Sequence, residues 1–307
     1  MLGPLVLLAW RAGAAQEEVE ASFIAALYAA GFVYVACYLA LPLDLYAESA
    51  EPTLRRLVQV DDWRGVRLKG PMFVFLLLFA LEARRLLRPR GALPLLATLV
   101  ALLGLLALFM VNVPRAHLAA LAIAGALWPL FFAGPKRFRM GLAIAPLFAT
   151  LGAALLFLVW DDVARTFEAD PSFRVRMQSA YYALKTIAER PLLGIGQASY
   201  HSTSYHDLYG TNFYPSDIGM LGVWFRYGLV GVAGYVALGV TLLWGTARLA
   251  HRPGAPALHK ALLFTLVVMH VISATSPILI SREGIAIAGL CFGLMAIDAE
   301  RRRRGRR

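Results

Sequence analysis

Eight apolar runs divide the chain, each matching or approaching the roughly 20 residues a helix needs to cross the hydrocarbon layer. They are Ser22–Leu43, Gly70–Leu87, Ala92–Val113, His117–Ala133, Met140–Trp160, Ile218–Gly245, Ala261–Ile280 and Gly284–Ala299. The pattern predicts an all-α polytopic bundle, with residues 1–307 forming a single integral membrane domain. Gly70–Leu87 is the weakest run, because Glu82, Arg84 and Arg85 sit near its end. Those arginines can snorkel to the interface, so the run is kept as a span. Leu2–Trp10 is too short to cross. It reads as an interfacial helix or the remnant of a span, and the Ala-Gly-Ala-Ala at 12–15 leaves a leader cleavage site open.

Composition agrees with the pattern. Of 307 residues, 59% are hydrophobic and 16% charged, with mean hydropathy +0.63. Soluble domains hold about 45–50% apolar and about 25% charged residues, so a soluble enzyme is excluded. Cys37 and Cys291 both lie in apolar runs and read as small buried hydrophobes. Two thiols cannot make a metal set, and no cofactor fingerprint is present.

The net charge of +11 would suggest nucleic acid in a soluble chain. Here the placement of the charge decides otherwise. Four basic clusters fall on one side of an eight-span bundle: Arg84, Arg85, Arg88 and Arg90; Lys136, Arg137 and Arg139; Arg248, Arg252 and Lys260; and the tail Arg301–Arg304 with Arg306 and Arg307. The positive-inside rule makes that side cytoplasmic, with the C-terminus there. The tail fixes topology and touches anionic lipid; no nucleic-acid partner is expected.

The opposite side receives Asp44–Lys69, the turn Asn112–Ala116 and the long loop Asp161–Asp217. A loop of that length in a compact bundle is usually functional or disordered. Its aromatics and periodicity predict order, with an amphipathic helix over Val175–Ile187 that carries Tyr181, Tyr182 and Leu184. Pro191 ends the helix, and Gly194 and Gly196 turn the chain.

This external face is unexpectedly basic. Arg64, Arg67 and Lys69 precede the second span, Arg115 sits in a turn, Arg174 and Arg176 open the loop helix, Arg226 lies in an apolar stretch, and Arg282 caps the last hairpin. Arginine at membrane depth costs about 2.5–3.5 kcal/mol on insertion scales. Its planar fork suits phosphate, so the cluster points to a lipid-linked phosphate or diphosphate. Other readings stand beside this one. Arg64, Arg67 and Lys69 fit interfacial anchors, and Arg282 beside Glu283 fits an ion pair or helix start. His201 and His206 flank a polar stretch at a spacing unlike a helical zinc pair; with Tyr200, Tyr205 and Tyr209 they fit sugar contacts in a loop. His270 fits a packing residue within a span.

Two stretches resemble a known family. Arg176-Met-Gln-Ser-Ala-Tyr-Tyr-Ala-Leu-Lys-Thr-Ile-Ala-Glu-Arg-Pro-Leu-Leu-Gly-Ile-Gly resembles the O-antigen ligase and polymerase family, where an arginine opens a loop helix running into a P-L-L-G-x-G turn. Ser216-Asp217-Ile-Gly-Met-Leu-Gly-Val-Trp-Phe-Arg-Tyr-Gly-Leu-Val-Gly looks like the next span of that family, ending in G-L-x-G. Arg115, in Val-Pro-Arg-Ala, looks like the family's Ser-Arg. The likeness covers 92–245, a ligase/polymerase-like core that includes the loop 161–217. Family ligases carry a His-Asn pair heading the span after the loop, and Asp217 stands at that histidine position. The chain also has fewer spans than is usual there.

The resemblance implies a metal-independent glycosyltransferase of the bacterial inner membrane, without cofactor. It would work at the periplasmic face on an undecaprenyl-diphosphate-linked oligosaccharide and pass sugar to a glycan or lipid acceptor. Arg115 and Arg176 are the expected catalytic cations. Arg174 and Arg226, with His201, His206 and Tyr205, are expected to bind the lipid diphosphate and its glycan. Asp217 is either a base for the acceptor hydroxyl or a helix cap. Two other classes compete: a lipid-linked glycan transporter or flippase, and a non-catalytic partner of envelope polysaccharide assembly proteins. A transporter would spread its charges through the bilayer midplane, whereas these gather at one face.

Overall fold

The computed structural model describes residues 16–41, 48, 58–61, 65–68, 72–86, 92–112, 123–124, 136, 171–196, 209 and 213–304. Apart from one short hairpin, the regular elements among these residues are helical, in keeping with the all-α class. The helices are α1 (Gln16–Ala40), α2 (Met72–Leu86), α3 (Ala92–Asn112), α4 (Pro171–Glu189), α5 (Gly219–Ala250), α6 (Ala257–Ile272) and α7 (Arg282–Arg304). The hairpin pairs β1 (Val58–Asp61) antiparallel with β2 (Gly65–Leu68), in the register Val58↔Leu68 to Asp61↔Gly65. The expected spans His117–Ala133 and Met140–Trp160 lie outside the described residues, as does Leu2–Trp10.

Among the described residues two helices are long and apolar enough to cross a membrane, Glu17–Ala40 and Gly219–Ala250. Their surfaces suit lipid. On α1, Phe32 and Leu39 are 74% and 77% exposed. On α5 the exposed positions Leu229, Ala233, Val236 and Val240 recur at helical spacing along one face. Tyr235, Gly239 and Leu242 are buried on another. In water such apolar faces would be a liability.

The chain forms two compact units. The first comprises residues 1–122, 245–268 and 285–307; the second comprises 123–244 and 269–284. In the first, Phe75, Leu76 and Leu77 of α2 are almost fully buried, as are Leu262, Leu263, Phe264 and Leu266 of α6. Phe79 stacks on Phe264 at 6.3 Å, and Tyr34 meets Phe75 edge-on at 5.0 Å. A Cβ at Gly31 would lie 2.9 Å from Leu78 Cδ1, so α1 and α2 approach over a position with no side chain. Arg252 pairs with Asp298 through both guanidinium nitrogens, and Arg302 Nε lies 3.2 Å from the same carboxylate.

In the second unit α6 ends at Ile272, short of the apolar run's end at Ile280. Pro277 explains the difference. It removes a helix donor and pushes the preceding residue out of the helical region. The chain turns over Ser273–Ser276 and makes one 3-10 turn, Ile278–Ile280. The Tyr235 hydroxyl bonds Ser273 Oγ at 2.7 Å and accepts from the Leu279 amide at 3.3 Å, fixing this turn against α5.

Ser281 then caps α7. Its backbone is extended, and its Oγ accepts the Gly284 amide at 3.1 Å, three residues on. Arg282, the first residue of α7, is exposed. Ser281→Ala is expected to lower stability by about 1 kcal/mol. Thermal unfolding of detergent-solubilised protein checks this, with Ser281→Asp expected to keep most of the loss from appearing.

Candidate functional site at an interrupted helix

The site lies within the second unit, where α4, the turn 191–196, the 3-10 turn Pro215–Asp217 and the first part of α5 come together. Pro171 sits in the first turn of α4, where its missing N–H costs nothing. The helix begins earlier than Val175 and runs to Glu189, followed by a bend at Arg190 and the turn at Pro191. Ser179, Ala183, Thr186 and Ile187 form its buried stripe.

That stripe packs on aromatic rings. Phe213 and Phe225 join Ala183 and Ile187 in a core flanked by Tyr182 and Tyr209. Tyr209 lies 4.7 Å from Phe213 and 5.7 Å from Phe225, ring to ring. Two polar bonds fix the register of the packing. Thr186 Oγ1 pairs with the Tyr209 hydroxyl at 3.0 Å, and the Tyr214 amide donates to Ser179 Oγ at 3.0 Å.

The turn does more than reverse the chain. Within α5, Gly228 has φ 66° and ψ −169°, so the helix is broken there. In an unbroken helix the amides of Leu229 and Val230 would bond the carbonyls of Phe225 and Arg226. Here the turn takes both sides of those bonds. The Ile195 and Gly196 amides donate to the Phe225 and Arg226 carbonyls at 3.0 and 2.8 Å. The Leu229 and Val230 amides donate to the Pro191 and Leu192 carbonyls at 2.9 and 3.3 Å. The Trp224 indole adds a bond to Pro191 O at 2.9 Å.

Two glycines permit this exchange. A Cβ at Gly194 would stand 2.6 Å from Phe225 O and 2.7 Å from Gly228 N. A Cβ at Gly228 would overlap Leu192 O. The same turn exposes Leu192 and Leu193 (62% and 74%) close to the exposed Leu229 and Val230. This apolar rim suits a membrane boundary.

The charged candidates are distributed around this core. Arg176 is exposed and lies three residues before Ser179, so it continues the packed side of α4 one turn beyond the core. Arg174 is also exposed but falls on the other side of the helix. Both lie in the first turns of α4, where the helix macrodipole is already positive. The cations therefore add to a positive end, an arrangement that disfavours the isolated helix and favours an anion.

Arg226 is partly buried, two residues before the break. Asp217 is exposed, and among the described residues its carboxylate accepts from Ser216 Oγ at 3.1 Å. The first backbone cap of that 3-10 turn is Tyr214, with no side-chain cap bond. Arg115, His201, Tyr205 and His206 lie outside the described residues. Among the described residues no group of three His, Cys, Asp or Glu side chains could hold a metal ion.

Several contributors to this site give no signal in the sequence. Trp224 and Thr186 act through single nonlocal bonds, which no spacing announces, and Tyr209, singled out in the sequence as a sugar contact, packs on the aromatic core and bonds Thr186. The break at Gly228 did leave a trace, since Gly222, Gly228 and Gly231 interrupt an apolar run.

The fold and site define a helical protein with two helices long and apolar enough to cross a membrane, and with an arginine-bearing helix docked by backbone onto the second of them at its break. The family model for O-antigen ligase matches residues 96–236, just under half the chain, and supports an O-antigen ligase and polymerase family for this protein. The matched stretch contains α4, the docking turn and the break in α5. No curated protein and no solved structure matches the chain.

Proposed function

We propose that this protein is a glycosyltransferase that transfers or polymerises glycan from an undecaprenyl-diphosphate-linked donor at the periplasmic face of the inner membrane. The observation that carries the reading is the fixed placement of Arg176 and Asp217 on elements clamped together: α4 bonds Tyr214 through Ser179 and Tyr209 through Thr186, and its turn is laced into α5.

The chemistry follows from the residue types. An acceptor hydroxyl attacks the anomeric carbon, the bond from that carbon to the diphosphate oxygen breaks, and the hydroxyl proton passes to the Asp217 carboxylate. Negative charge grows on the departing diphosphate. Arg176, with Arg115 and with Arg174 and Arg226 in support, neutralises it, and fixed cations favour the transition state over the ground state. His201, His206 and Tyr205 are proposed to contact the glycan.

A transporter reading draws some support from the discontinuous α5, since broken helices line transport sites. The break, however, falls nine residues into a helix of 32. At about 1.5 Å per residue it lies near one end rather than at the midplane.

The test uses the full chain in lipid nanodiscs with a defined undecaprenyl-diphosphate oligosaccharide and an acceptor glycan. Release of undecaprenyl diphosphate together with a lengthened glycan is expected. Arg176→Ala should cut the rate by about 100-fold or more, and cells carrying it should accumulate unextended lipid-linked repeats. Donor movement across a sealed bilayer without sugar transfer would replace this reading with the transporter.

A further inference from the structure

The stretch from Tyr214 to Gly219, which carries Asp217, is held at both ends within the second unit. At its start the Tyr214 amide donates to Ser179 Oγ of α4 at 3.0 Å. At its end Gly219, with φ 53°, lies against the turn that follows α6. A Cβ there would stand 2.3 Å from Ala274 O and 2.6 Å from Ser273 O. The Asp217 amide donates back to Tyr214 O at 3.0 Å, so the carboxylate-bearing residue is fixed between the two supports. One support is the helix of Arg176. The other is Ser273-Ala-Thr-Ser276, three of whose four residues carry hydroxyl groups.

Those hydroxyls divide by what they bond. Ser273 is buried and committed, its Oγ donating to Met269 O at 2.9 Å and pairing with the Tyr235 hydroxyl at 2.7 Å. Thr275 and Ser276 are partly exposed. Thr275 Oγ1 donates to Ile272 O at 3.1 Å, which leaves its lone pairs for an incoming donor. Among the described residues Ser276 Oγ makes no hydrogen bond, so it can both donate and accept. The backbone holds both in place: the Thr275 and Ser276 amides donate to Ile272 O at 2.9 Å, and the Ile278 amide donates to Ser276 O at 2.7 Å. An anion is disfavoured at this turn. α6 ends at Ile272, a helix C-terminus carries partial negative charge, and Asp217 adds its own. A neutral polyhydroxyl group meets no such penalty.

We infer that this turn is the acceptor subsite, in which Thr275 and Ser276 hold the neutral sugar whose hydroxyl Asp217 deprotonates. The inference rests on the transferase reading and adds to it the seat of the second substrate. In a single displacement the acceptor oxygen enters opposite the departing one. The base that takes its proton therefore stands away from the cations that receive the diphosphate. Arg176 belongs to the α4 side of the Tyr214–Gly219 stretch, and the turn after α6 is the support at its other end. Two hydroxyls on a fixed turn exchange hydrogen bonds with a sugar at little ordering cost. They bind the acceptor and take no part in the proton transfer.

Steady-state kinetics of the full chain in lipid nanodiscs, with donor and acceptor glycan varied separately, provide the test. Ser276→Ala and Thr275→Val each remove one hydroxyl. Each is expected to raise the acceptor KM about three- to tenfold, while the donor KM and kcat stay close to those of the unaltered chain. Thr275→Ser keeps the hydroxyl and should keep the acceptor KM. Ser281→Ala weakens the cap of α7, so it should lower the melting temperature and leave the acceptor KM unchanged. Acceptor binding without donor, read by saturation-transfer NMR, should weaken by the same factor as the KM, which ties the effect to recognition rather than turnover. An unchanged acceptor KM in both Ser276→Ala and Thr275→Val overturns the inference and leaves the transferase reading standing. A rise in the donor KM in place of the acceptor KM does the same. If the unaltered chain releases no undecaprenyl diphosphate, the transferase reading is overturned and the inference falls with it.

Discussion

Gly228→Ala is expected to destabilise the protein by about 3 kcal/mol or more and to abolish glycan transfer with it. Two independent penalties meet at this residue. Its backbone conformation, φ 66° with ψ −169°, is open essentially to glycine alone, and forcing another residue into it costs of order 1–3 kcal/mol. The new methyl group would also overlap Leu192 O, a backbone atom that cannot swing aside. If the break healed into regular helix instead, the four bonds between the turn and α5 would be lost. Gly234 provides the control. It lies in the same helix, and a Cβ there would meet nothing within 4 Å, so Gly234→Ala should leave the melting temperature unchanged or slightly raised. Equal melting temperatures for the two variants would show that the interruption carries no structural weight.

Asp217→Asn is expected to lower kcat/KM for sugar transfer by about 10²–10⁴-fold, the usual contribution of a positioned general base. Stability should stay within about 0.5 kcal/mol, because the carboxylate is exposed and its bond is to the adjacent Ser216. That separation of effects distinguishes a base from a helix cap, whose loss would appear in the melting curve. Asp217→His restores the residue type that the resembling ligases carry at this position. It is expected to recover more activity than the asparagine variant. A rate for Asp217→Asn equal to that of the unaltered chain would remove the carboxylate from the reaction and leave the arginines to carry it.

The long apolar runs were legible because period and hydrophobicity point the same way. α1, α2, α3, α5 and α7 begin and end within about six residues of the runs that predict them. The 58–68 hairpin was not legible, although Val58-Gln-Val-Asp and Gly-Val-Arg-Leu both alternate. Four-residue strands give a short signal beside twenty-residue spans.

At the site, the sequence located the loop helix and its terminating turn but not their partner. Backbone-to-backbone bonds between residues 191–196 and 225–230 have no side-chain signature, so only the glycines hinted at them. Arg174 and Arg176 read as a pair because they are two apart. On a helix that spacing sends them to different sides, and only Arg176 continues the packed stripe.

The lacing of 191–196 into α5 also limits how a donor can be admitted. Swinging α4 outward as a flap would strand four carbonyls and four amides beside lipid, at roughly 1–3 kcal/mol for each one left dry. The loop helix and the outer segment of α5 consequently behave as one fixed jamb. For a donor of the kind proposed, whatever opens to let a polyprenyl tail slide in, and later lets the spent carrier leave, has to be hung on other parts of the chain.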